Sequence, residues 1–466
     1  MARPRPLSGF PEWLPAGRAV ERHITSQLAR VFESHGFSEI ETRAVEPLGD
    51  LLRKGETSKE VYVLRRLQEA DRTGYDAKTL GLHFDLTVPL ARYVLEHAGW
   101  LDFPFKRYQI QKVWRGERPQ EGRFREFVQA DLDVIGLGEL PFHFEVELPL
   151  IMAEALGELG IGAFRVLVNN RKLAEGIYRS LGLEAEGQIE AVLRWIDKLD
   201  KIGPAAVAEG LVSESLTMDQ AQVCLDLAAI SGADADVITD QVTALAAVAG
   251  RVAGRTEGGA AALLDEGLAE LTALLETGAR RLPGSLIADL KIARGLDYYT
   301  GSVYETVWLG EESLGSVCSG GRYDSLAAEG SRTYPGVGLS IGVSRLVSRV
   351  LAQKLLEPSR LSPAAVVVAV ADEGERTASD MVAGRLRARG IAAEVAPVAA
   401  RFGKQIKYAD QRGIPFVWFP GAGMDGGDQV KDIRSGEQVD ATAQTWEPPV
   451  ADRAVTFAPG PVDLDS

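Results

Sequence analysis

The chain has 466 residues, and at about 150 residues per domain that length predicts roughly three domains rather than a single core. Its 45% apolar and 25% charged residues exclude a disordered, collagenous or disulfide-stapled chain. With 51 Lys plus Arg against 66 Asp plus Glu, the net charge of −15 excludes nucleic-acid capture by a positive field of the whole molecule.

Cys224 and Cys318 are the only cysteines and the five histidines are scattered, so neither a disulfide framework nor a zinc site built on Cys or His is expected. Met1 to Phe10 has no apolar signal-peptide core, and no apolar run nears the ~18 residues of a membrane span. A cytoplasmic protein is expected.

In chain order, Val20, Ile24, Leu28, Val31 and Phe32 lie at helical spacing and Gly36 stops that helix. From Phe37 to Ile135 the pattern predicts strands of an antiparallel sheet, including Leu80 to Pro89 and two long runs around a bend at Gly116 to Gly122. Pro141 to Leu159 reads as a helix and Phe164 to Val168 as a strand. Residues 170–282 turn Ala- and Leu-rich with helical periodicity, broken at Gly203-Pro204, Ser231-Gly232 and Gly258-Gly259. Strands resume at Leu286 to Ile292 and Ser302 to Leu309. A Gly-rich turn is predicted at Ser319 to Arg322, then a strand at Gly338 to Gly342 and a helix from Ser344 to about Leu356. Glu357 to Pro363 reads as a linker. Beyond it, strands at Ala365 to Ala371, Ile391 to Val398 and Ile414 to Phe419 alternate with helices at Glu373 to Arg389 and Phe402 to Arg412. That alternation predicts a small α/β module with a largely parallel sheet. Residues after Trp446 read as a loose tail.

The segment Lys106 to Gly136 carries the most chemistry. In its second strand Val128, Ala130, Leu132 and Val134 share one face, and Phe127, Gln129, Asp131 and Asp133 share the other. A face of Phe, Gln and two carboxylates suits a planar ring and an ammonium group. The bend sets Arg115, Arg118, Arg123 and Arg125 against Glu117, Glu121 and Glu126. Such arginines suit phosphates, although an exposed, salt-bridged hairpin tip is the commoner fate of a loop of this kind.

The run VWRGERPQEGRFREF resembles the motif 2 hairpin of class II aminoacyl-tRNA synthetases, and its ERPQ tip is similar to the histidyl-tRNA synthetase family. Ala293 to Glu305, ARGLDYYTGSVYE, resembles that family's histidine signature. Ser319 to Leu346, SGGRYDSLAAEGSRTYPGVGLSIGVSRL, resembles its Gly-rich strand and motif 3. Leu51 to Leu67 and the triplet Asp85-Leu86-Thr87 are similar too. The resemblance implies an α+β fold, a class II antiparallel sheet flanked by helices with a helical insertion and a C-terminal α/β anticodon-binding domain. The expected partition is a catalytic domain at 1–169 and 283–357, an insertion at 170–282, an anticodon-binding domain at 364–446 and a tail at 447–466.

The implied reaction joins L-histidine to ATP as an adenylate, releases pyrophosphate and transfers histidine to tRNA(His). Arg115 and Arg294 are the implied catalytic arginines on the α-phosphate and histidine carboxylate. ATP falls to Arg115, Glu117, Arg123, Phe127 and Arg345, with Mg2+ accompanying it. Asp85, Thr87 and Gln129 are implied for the amino group, with Asp133, Tyr298 and Tyr299 around the rest of the histidine. Arg118 and Gln120 on the hairpin, with Arg401, Lys404 and Lys407 in the segment RFGKQIKYADQRGIP, are implied for tRNA. A homodimer is also implied, although Arg43 stands where motif 1 usually has a proline. Ser319 and Ser344 likewise replace a glycine and a glutamate. The alternative is the synthetase-like regulatory subunit of histidine biosynthesis. Paralogues of that kind lack the anticodon domain and erode the ATP arginines, whereas this chain keeps both.

Overall fold

In a computed structural model of the chain, residues 4–458 are described, apart from 53–59, 70–73, 77, 186, 255–260, 294, 296–298, 326, 331 and 424. The fold is α+β, in two compact units: residues 1–12 with 23–349, and residues 13–22 with 350–466. The spaced apolar residues near the start form α1 (Pro15–Ser34), with Val20, Ile24, Leu28, Val31 and Phe32 all buried. Gly36 at φ +78 ends it, in a left-handed conformation that costs glycine little.

Among the described residues, the first unit is built on a nine-stranded sheet. Its strands are β1 (Ser38–Glu39), β2 (Phe105–Trp114), β3 (Glu126–Ile135), β4 (Phe164–Asn170), β5 (Ser231–Gly232), β6 (Leu286–Asp289), β7 (Ser302–Trp308), β8 (Cys318–Tyr323) and β9 (Gly336–Gly342). In space the order is β1-β2-β3-β9-β8-β7-β4-β6-β5. The run from β2 to β4 is antiparallel, while β1–β2 and β4–β6 pair in parallel.

Two local expectations in this part of the chain are corrected. The stretch read as extended from Leu80 to Pro89 is a strand only at Leu80–Leu82; the chain then turns into helix α2 (Thr87–His97). Asp85 stands two residues before that helix, its Oδ1 accepting from Val88 N at 3.1 Å, while Leu90 and Val94 pack with Ile135, Tyr323 and Tyr334. The glycines at 320 and 321 do not make a turn: they lie inside β8, paired with Leu339 and Gly338. A Cβ on Gly320 would stand 2.0 Å from the Gly338 carbonyl oxygen, so glycine serves a close backbone approach there. Gly320→Ala is therefore expected to lower stability by about 1–3 kcal/mol through overpacking, read as a reduced urea midpoint; an unchanged midpoint would show that the two strands separate freely.

Helix α3 (His143–Gly157) is apolar on nearly every side and packs on β3, β4 and β9. Its buried Glu145 accepts from Ser302 N at 3.0 Å and from Arg322 at 2.7 Å. The 170–282 stretch forms α4 (Arg171–Ser180), α5 (Gln188–Ile196), α6 (Leu199–Ser213), α7 (Met218–Ala229), α8 (Ala235–Val252) and α9 (Ala261–Arg281). These helices belong to the same compact unit as the sheet. Gly203, φ +79, kinks α6 as the Gly-Pro pair suggests, but Ser231-Gly232 is the edge strand β5 rather than a mere break. The break expected at Gly258-Gly259 lies outside the described residues. Asn170 caps α4 at Lys172 N and donates to Glu270 of α9 at 2.7 Å.

After α10 (Val343–Ala352), the second unit holds β10 (Val366–Val368), α11 (Arg376–Ala388), β11 (Ala393–Val395), α12 (Phe402–Gln411), β12 (Phe416–Phe419), β13 (Asp428–Asp432) and β14 (Gln438–Ala441). Strands β11, β10 and β12 are parallel as expected, and β13 and β14 extend the sheet antiparallel. The linker, and the tail up to residue 458, carry more regular structure than their composition suggests. Glu357–Pro358 pairs with Phe457–Ala458, and Val450–Arg453 is a helical turn.

Candidate active site

The β2–β3 hairpin projects its connecting loop beyond the sheet, and a cleft of about 370 Å³ lies beside it. Asp85, Thr87, Arg115, Glu117, Arg123, Phe127, Gln129, Tyr299 and Arg345 line this one cleft, so nine residues chosen from distant motifs converge. Arg115 follows the last residue of β2. Its Nε donates to the Phe84 carbonyl at 2.9 Å and a terminal nitrogen to Gln129 Oε1 at 3.4 Å, while its guanidinium lies 5.2 Å from the Phe127 ring centroid. Glu117 stands 3.8 Å from Arg115 and 3.6 Å from Arg123. Two guanidiniums thus flank one carboxylate, and with Arg345 they are the groups of the cleft suited to phosphates.

Arg345 enters from α10. Its Nε donates to the Gly122 carbonyl at 3.1 Å and Nη1 to that of Ser316, linking motif 3 to the hairpin loop. Asp85 and Thr87 lie at the start of α2, where the positive end of the helix dipole faces the cleft. The Tyr299 ring lies against Gly321, where a Cβ would come within 2.8 Å of it.

Asp133 does not line the cleft. It is buried in an ion pair with Arg107 at 2.7 Å and accepts from the Tyr323 hydroxyl at 2.8 Å. Parity therefore separates the two faces of β3 correctly, but the polar face is nearly as buried as the apolar one. Arg118 and Gln120 are exposed on the hairpin, which closes by a reciprocal backbone bridge between Gln120 and Arg123. Arg294 and Tyr298 lie outside the described residues. In the second unit Arg401, Lys404 and Lys407 are all exposed on and beside α12, whereas Arg412 is drawn toward Glu394 at 3.4 Å and stacks over Tyr408.

Sequence reading passed over Glu60, Phe124, Ser316 and Ser340, which also line the cleft. Burial pushes the Glu60 carboxyl up, opposed by the charge of Arg115. No spacing rule marks such residues, because they reach the cleft from separate loops and strands.

The histidyl-tRNA synthetase family profile matches residues 9–346, and the anticodon binding domain profile matches residues 364–445. The chain belongs to the histidyl-tRNA synthetase family. It is 57% identical to a histidine–tRNA ligase of Bifidobacterium longum, over 96% of this chain and 98% of that protein. It is 54% identical to one of Cutibacterium acnes, over 97% and 98%. A crystal structure of histidyl-tRNA synthetase from Nostoc sp. PCC 7120 superposes with a TM-score of 0.80 at 35% identity, covering 95% of this chain and 98% of that one. Within this histidyl-tRNA synthetase fold, Ser344, which replaces the usual glutamate, accepts from Val128 N at 2.9 Å and so ties α10 to β3.

Proposed function

We propose that the chain is a histidine–tRNA ligase, which activates L-histidine with ATP and transfers it to tRNA(His). The observation that carries this reading is the convergence of Arg115, Phe127, Gln129, Tyr299 and Arg345 on one cleft. The histidine carboxylate attacks the α-phosphorus, the bond to pyrophosphate breaks, and charge builds on the phosphoryl oxygens. Arg115 neutralises that charge and holds the carboxylate, with Arg294 assigned to the opposite side. Phe127 stacks on adenine, Glu117 accepts from its amino group, Arg123 supports the phosphates, and Arg345 holds the γ-phosphate. Asp85, Thr87 and Gln129 accept from the substrate ammonium. Tyr299 is assigned to the imidazole and Tyr298 to its pocket, and Asp133 acts on the site through Arg107 and Tyr323, which it touches. In the second step a ribose hydroxyl of the tRNA end attacks the acyl carbon and AMP leaves.

Among the described residues there is no group of three or more His, Cys, Asp or Glu suited to a metal. Mg2+ is assigned as a companion of the triphosphate, where it would neutralise phosphate charge, and no residue is assigned to hold it. Arg118 and Gln120, with Arg401, Lys404 and Lys407, are assigned to tRNA, the second group on the domain matching 364–445. The partition into catalytic (1–169, 283–357), inserted (170–282) and anticodon-binding (364–446) parts, a homodimer and a cytoplasmic location complete the proposal. No helix of the described residues is long and apolar enough to cross a membrane.

The regulatory-subunit reading predicts no adenylate chemistry. Purified protein with Mg2+ is expected to exchange labelled pyrophosphate into ATP only when histidine is present. Absence of exchange would overturn the ligase reading and favour the regulatory one.

A further inference from the structure

One buried acid beside the cleft has no part in this scheme. Asp131 lies on the polar face of β3, 2% exposed, directly opposite Ser340 of β9. Ser340 Oγ donates to Asp131 Oδ1. Gln129 Nε2 donates to Ser340 Oγ and, at 3.5 Å, to Asp131 Oδ1. A serine hydroxyl has a single hydrogen. With that hydrogen committed to Asp131, Ser340 has only lone pairs to offer Gln129, which must turn its NH2 toward β9. The carbonyl oxygen of the same amide then points the other way, where it accepts from Arg115 at 3.4 Å.

We propose that Asp131 and Ser340 form a positioning relay that fixes which end of the Gln129 amide faces the substrate, presenting its oxygen to the α-ammonium group of the amino acid. The relay rests on the assignment of Gln129 to that group. An ammonium has three donors and no acceptor, so a reversed amide would oppose N–H to N–H and lose a charge-assisted hydrogen bond. It would also turn its NH2 toward Arg115. Neither Asp131 nor Ser340 needs to touch the reacting atoms.

The test uses full-length enzyme in histidine-dependent pyrophosphate exchange at about pH 8, where a carboxyl raised by burial to about 7 is ionised. Asp131→Asn lets the new amide donate to Ser340, which frees the hydroxyl to donate to Gln129 and permits the amide to reverse. KM for histidine is expected to rise about tenfold, with kcat and KM for ATP within about twofold of the parent. The double variant Gln129→Ala with Asp131→Asn removes the amide through which Asp131 acts. Its KM for histidine is expected to match that of Gln129→Ala alone within about threefold. A loss caused only by the missing charge, or by general loosening, would instead add to that of Gln129→Ala.

An unchanged KM in Asp131→Asn, or a double variant clearly worse than Gln129→Ala alone, overturns the relay. Gln129→Ala separates the two layers of the reading. If it leaves KM for histidine unchanged, the contact to the ammonium fails; if it raises KM while Asp131→Asn does not, only the relay fails. Should Asp131→Asn not fold, Asp131→Ser carries the test, because its hydroxyl can donate as well as accept and no longer holds Ser340 in one orientation, with an expected rise of about threefold in KM for histidine; no rise would refute the relay.

Discussion

Arg115→Ala is expected to reduce histidine-dependent pyrophosphate exchange by about 10³-fold or more, with no change in thermal unfolding. The guanidinium meets the Phe84 carbonyl, Gln129, the Phe127 ring and, at 3.8 Å, Glu117, and it lines the cleft. None of these contacts is core packing, so truncation costs little in the resting enzyme. During the reaction the same group would meet the carboxylate and the phosphoryl oxygens together, and its charge counts most as negative charge accumulates. Arg115→Lys keeps the charge but loses the planar fork, and about a 10²-fold deficit is expected to remain. Exchange within tenfold of the parent in the alanine variant would remove Arg115 from the chemistry.

A second large effect is expected in stability. Arg107 is fully buried and holds Asp133 at 2.7 Å. Arg107→Ala leaves that carboxylate with the Tyr323 hydroxyl in a site closed to water, which predicts a loss of about 3–5 kcal/mol in denaturant unfolding. The loss should also depend on pH. Arg107 opposes the upward push that burial exerts on Asp131, so its removal raises that carboxyl further. A carboxyl whose folded pKa exceeds its unfolded one stabilises the fold at low pH, and the contribution disappears as pH rises through the folded value. The gap between parent and variant should therefore widen as pH rises above about 7. A gap that narrows over this range would mean that other groups dominate the titration.

How far the sequence revealed these features depended on whether the deciding contact was local. The β2–β3 hairpin was legible because ten-residue strands alternate faces and a charged bend separates them; α1 was legible because five apolar residues repeat at helical spacing. Helix α2 was hidden, since Leu80 to Pro89 joins a short strand to a helix start without a break in apolar character. The glycines of β8 were misread because glycine favours turns in general, whereas Gly320 answers a carbonyl on β9 that only tertiary structure supplies. The pairing of residues 357–358 with 457–458 spans a whole module and leaves no local trace. At the site, arginines and aromatics announced themselves through motifs. Ser340 did not: a serine in a Gly-rich strand carries no signal until Asp131 and Gln129 are seen on either side of it.

The entry and exit of the helical stretch lie on neighbouring strands. β4 runs straight into α4 at Asn170, and the chain returns as β6, in parallel register with β4 from Val166 opposite Leu286. Parallel neighbours require a long connection, and here α4 to α9 are that connection. The helices are clasped at both ends, with β5 as a third fastening on the sheet edge. A segment held this way cannot swing on a single tether, and force applied to its helices is delivered to the β4–β6 pair. It also makes assembly of that sheet edge non-local: β6 finds its partner only after the intervening helices have brought the ends together, which places this edge among the slow steps of folding.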